Sequence, residues 1–340
     1  MKKFWIFWNL SNFVCPTCVS VTVHNGGLSI THDQSVKESG HMSNECNDDQ
    51  DPEQIPGAGA ARYIRVPARG VEDIRALLAD PVKHWRPGYS AYELAHSWWD
   101  ADQFHDGFPP NVRAVLDASG KPLLHHLRPL MIFPEFKTEL PAKGNCSQTD
   151  LWILATPPFI PFTHSDDDFA EDNADWTKID PKIGFAQIGP RELVSIAVEG
   201  KVRESFGPVM ADWLKNASPG KLLRLRFLCH RLGIDPDIFL GPAVVLDAGT
   251  HPGSIRYQLI HRTVAALIEA EQFCARHALM LVHSFDLGDS GFSDYEAFVA
   301  LLGGKAALNQ VVTIGERSGI RLHLAWVKDK PRSAQPSLLS

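Results

Sequence analysis

The sequence predicts an α/β fold, a mixed central sheet flanked by helices whose core runs in the order αβββαβ. Three observations predict it. Helical periodicity fills residues 71–116 and returns over 254–277. Between these blocks lie three strand-like runs in succession, and a further buried apolar run, Leu279-Met-Leu-Val-His-Ser284, follows the second block. The chain of 340 residues is 44% hydrophobic and 21% charged, which supplies a packed core and excludes a wholly disordered chain. No run approaches the ~18 consecutive apolar residues of a membrane-spanning helix, so no membrane partner is expected.

Regular patterning starts near Tyr63-Ile-Arg-Val66. Val71, Ile74, Leu77 and Leu78 recur at helical spacing and stop at Asp80-Pro81. Ser90-Ala-Tyr-Glu93 matches a capping box and opens a second helix through Leu94, Ala95 and Trp98. Pro109-Pro110 opens a short third helix through Val112 and Leu116. The texture then changes. Residues 127–140 read as a strand with a proline-marked bend, 150–155 as a second, and 193–198 as a third, β-branched and nearly continuous in apolar character as a central strand should be. Helices resume after Gly207-Pro208, over 221–232 and over 254–277, the last with Ile260, Val264, Leu267 and Cys274 on one stripe. After the strand at 279–284 come a helix over 295–302 and two runs, 311–314 and 320–327, expected as an edge pair.

Two segments stand apart. Residues 1–61 read as a disordered acidic tail, and 157–190, rich in proline and aspartate, as a surface insertion in a single α/β domain over 62–332. Lys2-Lys3 before Phe4-Trp-Ile-Phe-Trp8 imitates a secretory leader, but the run is short, Asn9 and Asn12 interrupt it, and no small-residue cleavage site follows. Six cysteines make no disulfide framework, so a reducing, cytoplasmic setting is expected. Cys15-Pro-Thr-Cys18 is followed by His24 and His32, but no second CxxC or spaced His pair completes a zinc site.

Charge looks at first like an argument against nucleic acid, with 33 basic and 40 acidic residues for a net of −7. The tail to residue 60 holds 3 basic and 7 acidic residues, and the insertion 2 and 7. Removing both leaves 28 basic and 26 acidic residues, a net of +2. That is no basic footprint, but the objection is gone.

The chemistry concentrates at Asp150, on the second strand, and Glu199-Gly-Lys201, at the end of the third. Hydrolysis of a phosphodiester needs hard oxygen ligands for Mg²⁺ (or Mn²⁺) and a placed hydroxide. Two carboxylates on adjacent strands suit one metal, and Lys201 projects from the same strand face as Glu199 because side chains alternate with period two. The bare triplet is weak: about two [DE]xK matches arise by chance in such a composition. The other two are Asp180-Pro-Lys182, inside the insertion, and Glu135-Phe-Lys137 on the first strand, a genuine rival. Glu199 is preferred because a charged pair emerging from an apolar strand needs a mutual partner or a ligand.

This arrangement resembles the PD-(D/E)xK, restriction-endonuclease-like nuclease superfamily. More closely, His84-Trp-Arg-Pro-Gly-Tyr-Ser-Ala, Ser147-Gln-Thr-Asp150, Ala197-Val-Glu-Gly-Lys-Val202, Phe206-Gly-Pro208, Arg256-Tyr-Gln-Leu-Ile-His-Arg262 and Leu281-Val-His-Ser284 resemble an uncharacterised bacterial family with such a core. The resemblance covers roughly residues 65–330. It implies metal-dependent cleavage of nucleic acid, DNA above all, with Asp150 and Glu199 as metal ligands and Lys201 near the nucleophile. Ser147 and Gln148 would shape the metal loop, with Glu135 and Lys137 in reserve. The chain departs from the superfamily pattern in two places: about fifty residues separate Asp150 from Glu199, and no proline precedes Asp150.

Other residues have plainer readings. Glu93 could imitate a metal-binding glutamate of the first helix, but a capping role is expected. Gln258 and Arg262 share a helix face by their i,i+4 spacing and are candidates for substrate phosphate. His283 reads as a satisfied core histidine, and His125-His126 as a poor chelate. No Walker loop, dinucleotide glycine fingerprint or nucleophile elbow occurs. The leading expectation is a metal-dependent nuclease-like protein. The rivals are a binding or regulatory protein that keeps the fold without catalysis, and an Mg²⁺-dependent hydrolase of another phosphate ester.

Overall fold

The computed structural model describes residues 20–24, 27–31, 63–66, 69–142, 146–157, 192–241 and 251–332. Two units emerge, 1–55 and 56–340. In the first, β1 (Ser20–His24) pairs antiparallel with β2 (Gly27–Thr31), a hairpin that the reading of this segment as a tail did not include. The leader-like run, Cys15 and Cys18, the rest of the tail and the insertion beyond residue 157 lie outside the described residues.

The second unit begins with α1 (Val71–Arg75), α2 (Pro81–His84), α3 (Ser90–Phe104) and α4 (Pro110–Asp117). Strands β3 (Arg128–Glu139), β4 (Cys146–Thr156) and β5 (Val194–Lys201) follow. Then come α5 (Met210–Leu214), α6 (Pro219–Leu232), α7 (Asp237–Leu240) and α8 (Tyr257–Gln272). The chain closes with β6 (His277–Ser284), α9 (Phe292–Leu301), β7 (Gln310–Arg317) and β8 (Ile320–Lys328). Six strands form one sheet in the order β3-β4-β5-β6-β8-β7. The first three are antiparallel neighbours, β6 is parallel to both β5 and β8, and β7 is antiparallel to β8. The protein is thus α/β with a mixed sheet flanked by helices.

The sheet is covered on both faces. Leu94 and Trp98 of α3 and Val112 and Leu116 of α4 pack with Ile153, Val198, Leu281 and Val327 on one side. Leu225 and Leu228 of α6, Leu259 and Val264 of α8 and Phe298 of α9 pack with Ala197, Met280, Leu324 and Trp326 on the other. Every residue of β5 and of β6 is buried, which is why both read as continuous apolar runs rather than alternating ones. Ser218 caps α6 by accepting from the Lys221 amide, and Gly233, at φ 67°, ends it in the left-handed conformation glycine tolerates.

Several boundaries differ from the sequence expectation. β4 starts at Cys146, so Asp150 is its fifth residue rather than its first; the polar run Ser147-Gln-Thr hides a strand because Ser147 and Thr149 are buried against partners rather than solvated. β5 runs through Lys201, so Glu199 and Lys201 belong to the strand instead of emerging from it. Of the expected edge pair only β7 is an edge, since β8 is held between β6 and β7. The capping box does not form: α3 is capped from Tyr89 without a side-chain bond, leaving Ser90 one position too far in. Glu93 is buried and instead accepts from the Gly88 amide at 2.7 Å and the Arg332 amide at 2.6 Å.

Candidate functional site

Three carboxylates lie in one row across β3, β4 and β5. The β4–β5 ladder runs from Ala155↔Val194 to Leu151↔Val198, so Asp150 and Glu199 are the next residues on their strands. On the other side, the pairs Pro134↔Leu151 and Phe136↔Thr149 bracket Glu135 and Asp150. Glu135 sits at φ 52°, a left-handed kink that interrupts the pairing there. Where the β4–β5 ladder stops, the Gly200 amide is satisfied by the Asp150 side chain, donating to Oδ2 at 2.7 Å. Gly200 leaves little room here: a Cβ would lie 3.3 Å from Asp150 Oδ2 and 3.2 Å from Leu94 Cδ2, so both neighbours would have to give by a few tenths of an ångström.

Glu199 is the hub. Its Oε1 accepts from Lys201 Nζ at 2.8 Å and from Gln258 Nε2 at 2.6 Å, and its Oε2 accepts from Arg262 Nε at 2.6 Å. Lys201 also donates to Gln258 Oε1 at 3.2 Å and lies 4.8 Å from the centre of the Phe206 ring. Arg262 reaches on to Ser147 Oγ at 3.1 Å, and that hydroxyl sits 2.8 Å from His261 Nδ1. Residues Glu199, Lys201 and Arg262 are only 2%, 5% and 8% exposed. Burial opposes ionisation of Glu199, but Lys201 and Arg262 overcome it and hold the carboxyl down at about 2.

The other two carboxyls move the opposite way. Burial, joined by the charges of Glu199 and Glu135, holds Asp150 well above the usual carboxylate range. Burial also pushes Glu135 up to about 7, helped by Glu199 and opposed by the hydrogen bond from Gln148 Nε2 to its Oε2. Among the described residues, neither Asp150 nor Glu135 has an ion-pair partner within 4.0 Å. Burial and the adjacent Arg262 also keep His261 well below its usual value, so the imidazole is neutral.

The structure therefore brings together Asp150, Glu199, Lys201, Gln258, Arg262 and Ser147, with Glu135 and Gln148 alongside. Lys137 is exposed on β3 and opposite Gln148. Gln258 and Arg262 do share a face, but that face grips Glu199, and Ser147 is fully buried behind Arg262. The contributions of His261 and Phe206 were not foreseen. The signal was present in part: a buried Glu and Lys need partners, and the long amphipathic helix over 254–277 offers Gln258 and Arg262 at one-turn spacing.

Of the three carboxylates in this row, Glu199 is already paired with Lys201 and Arg262, which among the described residues leaves Asp150 and Glu135 as the oxygen ligands not held by a cation. Mg²⁺ is commonly held by one or two carboxylates, with water and substrate oxygens completing its shell. The three carboxylates do not converge tightly: among the described residues, the only trio of His, Cys, Asp or Glu side chains with ligand atoms mutually within 4.8 Å is Asp117, His125 and His126. On the opposite face, a cavity of about 570 Å³ is lined by Glu93, His96, Asp100, Phe285, Asp329 and Arg332, beyond the carboxyl ends of β6 and β8. Beneath it His283 is fully buried and satisfied, taking the Trp98 indole at Nδ1 and meeting Asp329 Oδ2 at Nε2, each at 3.2 Å. Asp329 in turn holds Asn111 at 2.8 Å.

No helix among the described residues is long and apolar enough to cross a membrane. Neither the curated proteins nor the solved structures contain a match to this chain. A family model does match, over residues 67–159 and 185–331, and it carries both ends of the carboxylate row. Its break falls within the segment that the sequence reads as an insertion. The chain belongs to that family, described as a domain of unknown function, DUF6946.

Proposed function

We propose that this protein hydrolyses phosphodiester bonds, DNA being the expected substrate, with a divalent metal (Mg²⁺ or Mn²⁺) held by Asp150 and Glu199. One observation carries the reading: three carboxylates share a row on adjacent strands, and two of them, Asp150 and Glu135, are held above the usual range despite the more distant Arg262, with no ion-pair partner within 4.0 Å among the described residues. Like charges crowded together at partly buried positions are costly, and a divalent ion would offset them. The order of helix, three antiparallel strands, helices and a strand parallel to the third supports a restriction-endonuclease-like core. The metal would polarise the phosphoryl oxygen and supply a nucleophile at neutral pH. Lys201 and Arg262 would balance phosphate charge, and Gln258 and Ser147 would hold those cations in place.

One observation favours a second reading. Glu199 is already saturated by Lys201, Gln258 and Arg262 and is sealed under them. A protein that keeps the fold to bind or regulate, without catalysis, would retain this clamp as scaffold. Cleavage assays with Mg²⁺ on single- and double-stranded DNA and RNA separate the two, with p-nitrophenyl phosphate esters run beside them. Metal-dependent cleavage of nucleic acid supports the first reading. Salt-sensitive DNA binding without cleavage supports the second, and turnover of the small esters alone points to another phosphate ester.

A further inference from the structure

We propose that Asp117, His125 and His126 form a binding site for a transition-metal ion of the Zn²⁺ class, separate from the carboxylate row. Adjacent histidines ordinarily diverge, which is why the sequence reads this pair as a poor chelate. Here the backbone intervenes. The chain leaves α4 at Asp117 and turns back, with the His125 amide donating to Lys121 O and the His126 amide donating to Asp117 Oδ1 at 2.7 Å. His126 adopts φ 53°, and the two imidazole rings come within 4.0 Å, inclined at 66°. One ligand atom from each of the three side chains then lies within 4.8 Å of the others.

The spacing suits an ion. His126 Nδ1 and Asp117 Oδ2 are 3.7 Å apart, too far for a hydrogen bond. Tetrahedral Zn²⁺ at about 2.0–2.1 Å from N and O ligands spreads its ligand atoms roughly 3.4 Å apart. Two imidazoles with one carboxylate suit Zn²⁺, Ni²⁺ or Cu²⁺ far better than Mg²⁺, whose ligands are oxygens. Both histidines are exposed, which leaves access and room for water as a fourth ligand. Arg113 is a nearby cation that opposes binding, 3.7 Å from Asp117 Oδ1. Its Nη2, however, is committed to Asp106 and to Leu127 O, each at 2.6 Å, and Asp117 Oδ2 faces His126 instead. An ion bound here would staple the end of α4 to the start of β3.

The test is calorimetric titration of the chelator-treated full-length chain with Zn²⁺, in a Cys15→Ser/Cys18→Ser background that removes thiolate chelation. His125→Ala and His126→Asn are compared with that background; Asn tolerates the left-handed backbone at 126. The expected result is one saturable Zn²⁺ equivalent, undisturbed by millimolar Mg²⁺ and weakened at least about tenfold by either change. Thermal unfolding should rise with Zn²⁺ in the background protein and rise less, at the same Zn²⁺ concentration, in either histidine variant. Equal Zn²⁺ affinity and stoichiometry in all three proteins, or no saturable binding in the background protein, overturns the proposal. Unfolding in chelator at the same temperature for all three excludes a folding defect as the cause.

Discussion

Arg262 donates its Nε to Glu199 Oε2 at 2.6 Å, tying α8 to β5 through side chains only 10% and 3% exposed. The pair keeps a carboxylate ionised where burial alone would neutralise it. Removing one partner strands the other, so Arg262→Ala should lose about 3–5 kcal/mol in denaturant unfolding. Arg262→Lys should fall between, because one ammonium cannot serve both Glu199 and Ser147 in fork geometry.

Acidification should act through Glu199. Its folded carboxyl titrates near 2 against 4.5 for an ordinary one, so between these values the native state binds fewer protons than the unfolded chain. The stabilisation is complete above 4.5 and lost as pH falls through 2. Glu199→Gln should therefore remove acid sensitivity in that window, as read by urea midpoints against pH.

Glu135 carries the opposite sign. Its folded value is raised to about 7, so its contribution is complete below 4.5 and lost as pH rises through 7. Glu135→Gln should gain stability relative to the unmodified chain between pH 4.5 and 7. Parallel stability curves for the two proteins would contradict the placement of Glu135 beside Asp150 and Glu199.

Gly200 is tightly bounded by its neighbours, Leu94 and Asp150 Oδ2. Gly200→Ala should cost about 1–3 kcal/mol by overpacking, since Leu94 is itself buried and gives little. The measurement is a chemical denaturation midpoint, with Gly70→Ala, which meets nothing within 4 Å, as the control.

Among the described residues, His283 is satisfied through Trp98 and Asp329. Asp329→Ala leaves Nε2 of a buried imidazole unpaired and should cost about 1–3 kcal/mol. Trp98→Phe should cost a similar amount through the other nitrogen, with some added loss of packing. Thermal unfolding of both variants checks it.

Much of this was legible in the sequence. The two apolar runs that became β5 and β6 announced the sheet centre because strands buried on both faces have no polar alternation to confuse. The nearness of Asp150 to Glu199 and Lys201 followed from adjacent strands and period-two projection, although both strands extend further than the sequence reading placed them. What stayed hidden depended on tertiary partners. Ser147-Gln-Thr149 looks like loop until Arg262 and His261 supply the bonds that let Ser147 be buried. Glu93 looked like a cap because nothing local reveals that Arg332, far along the chain, donates to it. The convergence of Asp117 with His125 and His126 depends on one left-handed residue, which a sequence does not display.

The central claim is tested most directly by Asp150→Asn. Asparagine keeps an oxygen to accept the Gly200 amide, so the strand pairing survives, but the charge that holds a metal is gone. The measurement is single-turnover cleavage of DNA in Mg²⁺, with thermal unfolding recorded on the same samples. The account predicts an unchanged fold and a rate lower by roughly a hundredfold or more, several kcal/mol at about 1.36 kcal/mol per factor of ten. Equal Mg²⁺-dependent cleavage by the variant and the unmodified chain, or none by either, would contradict it.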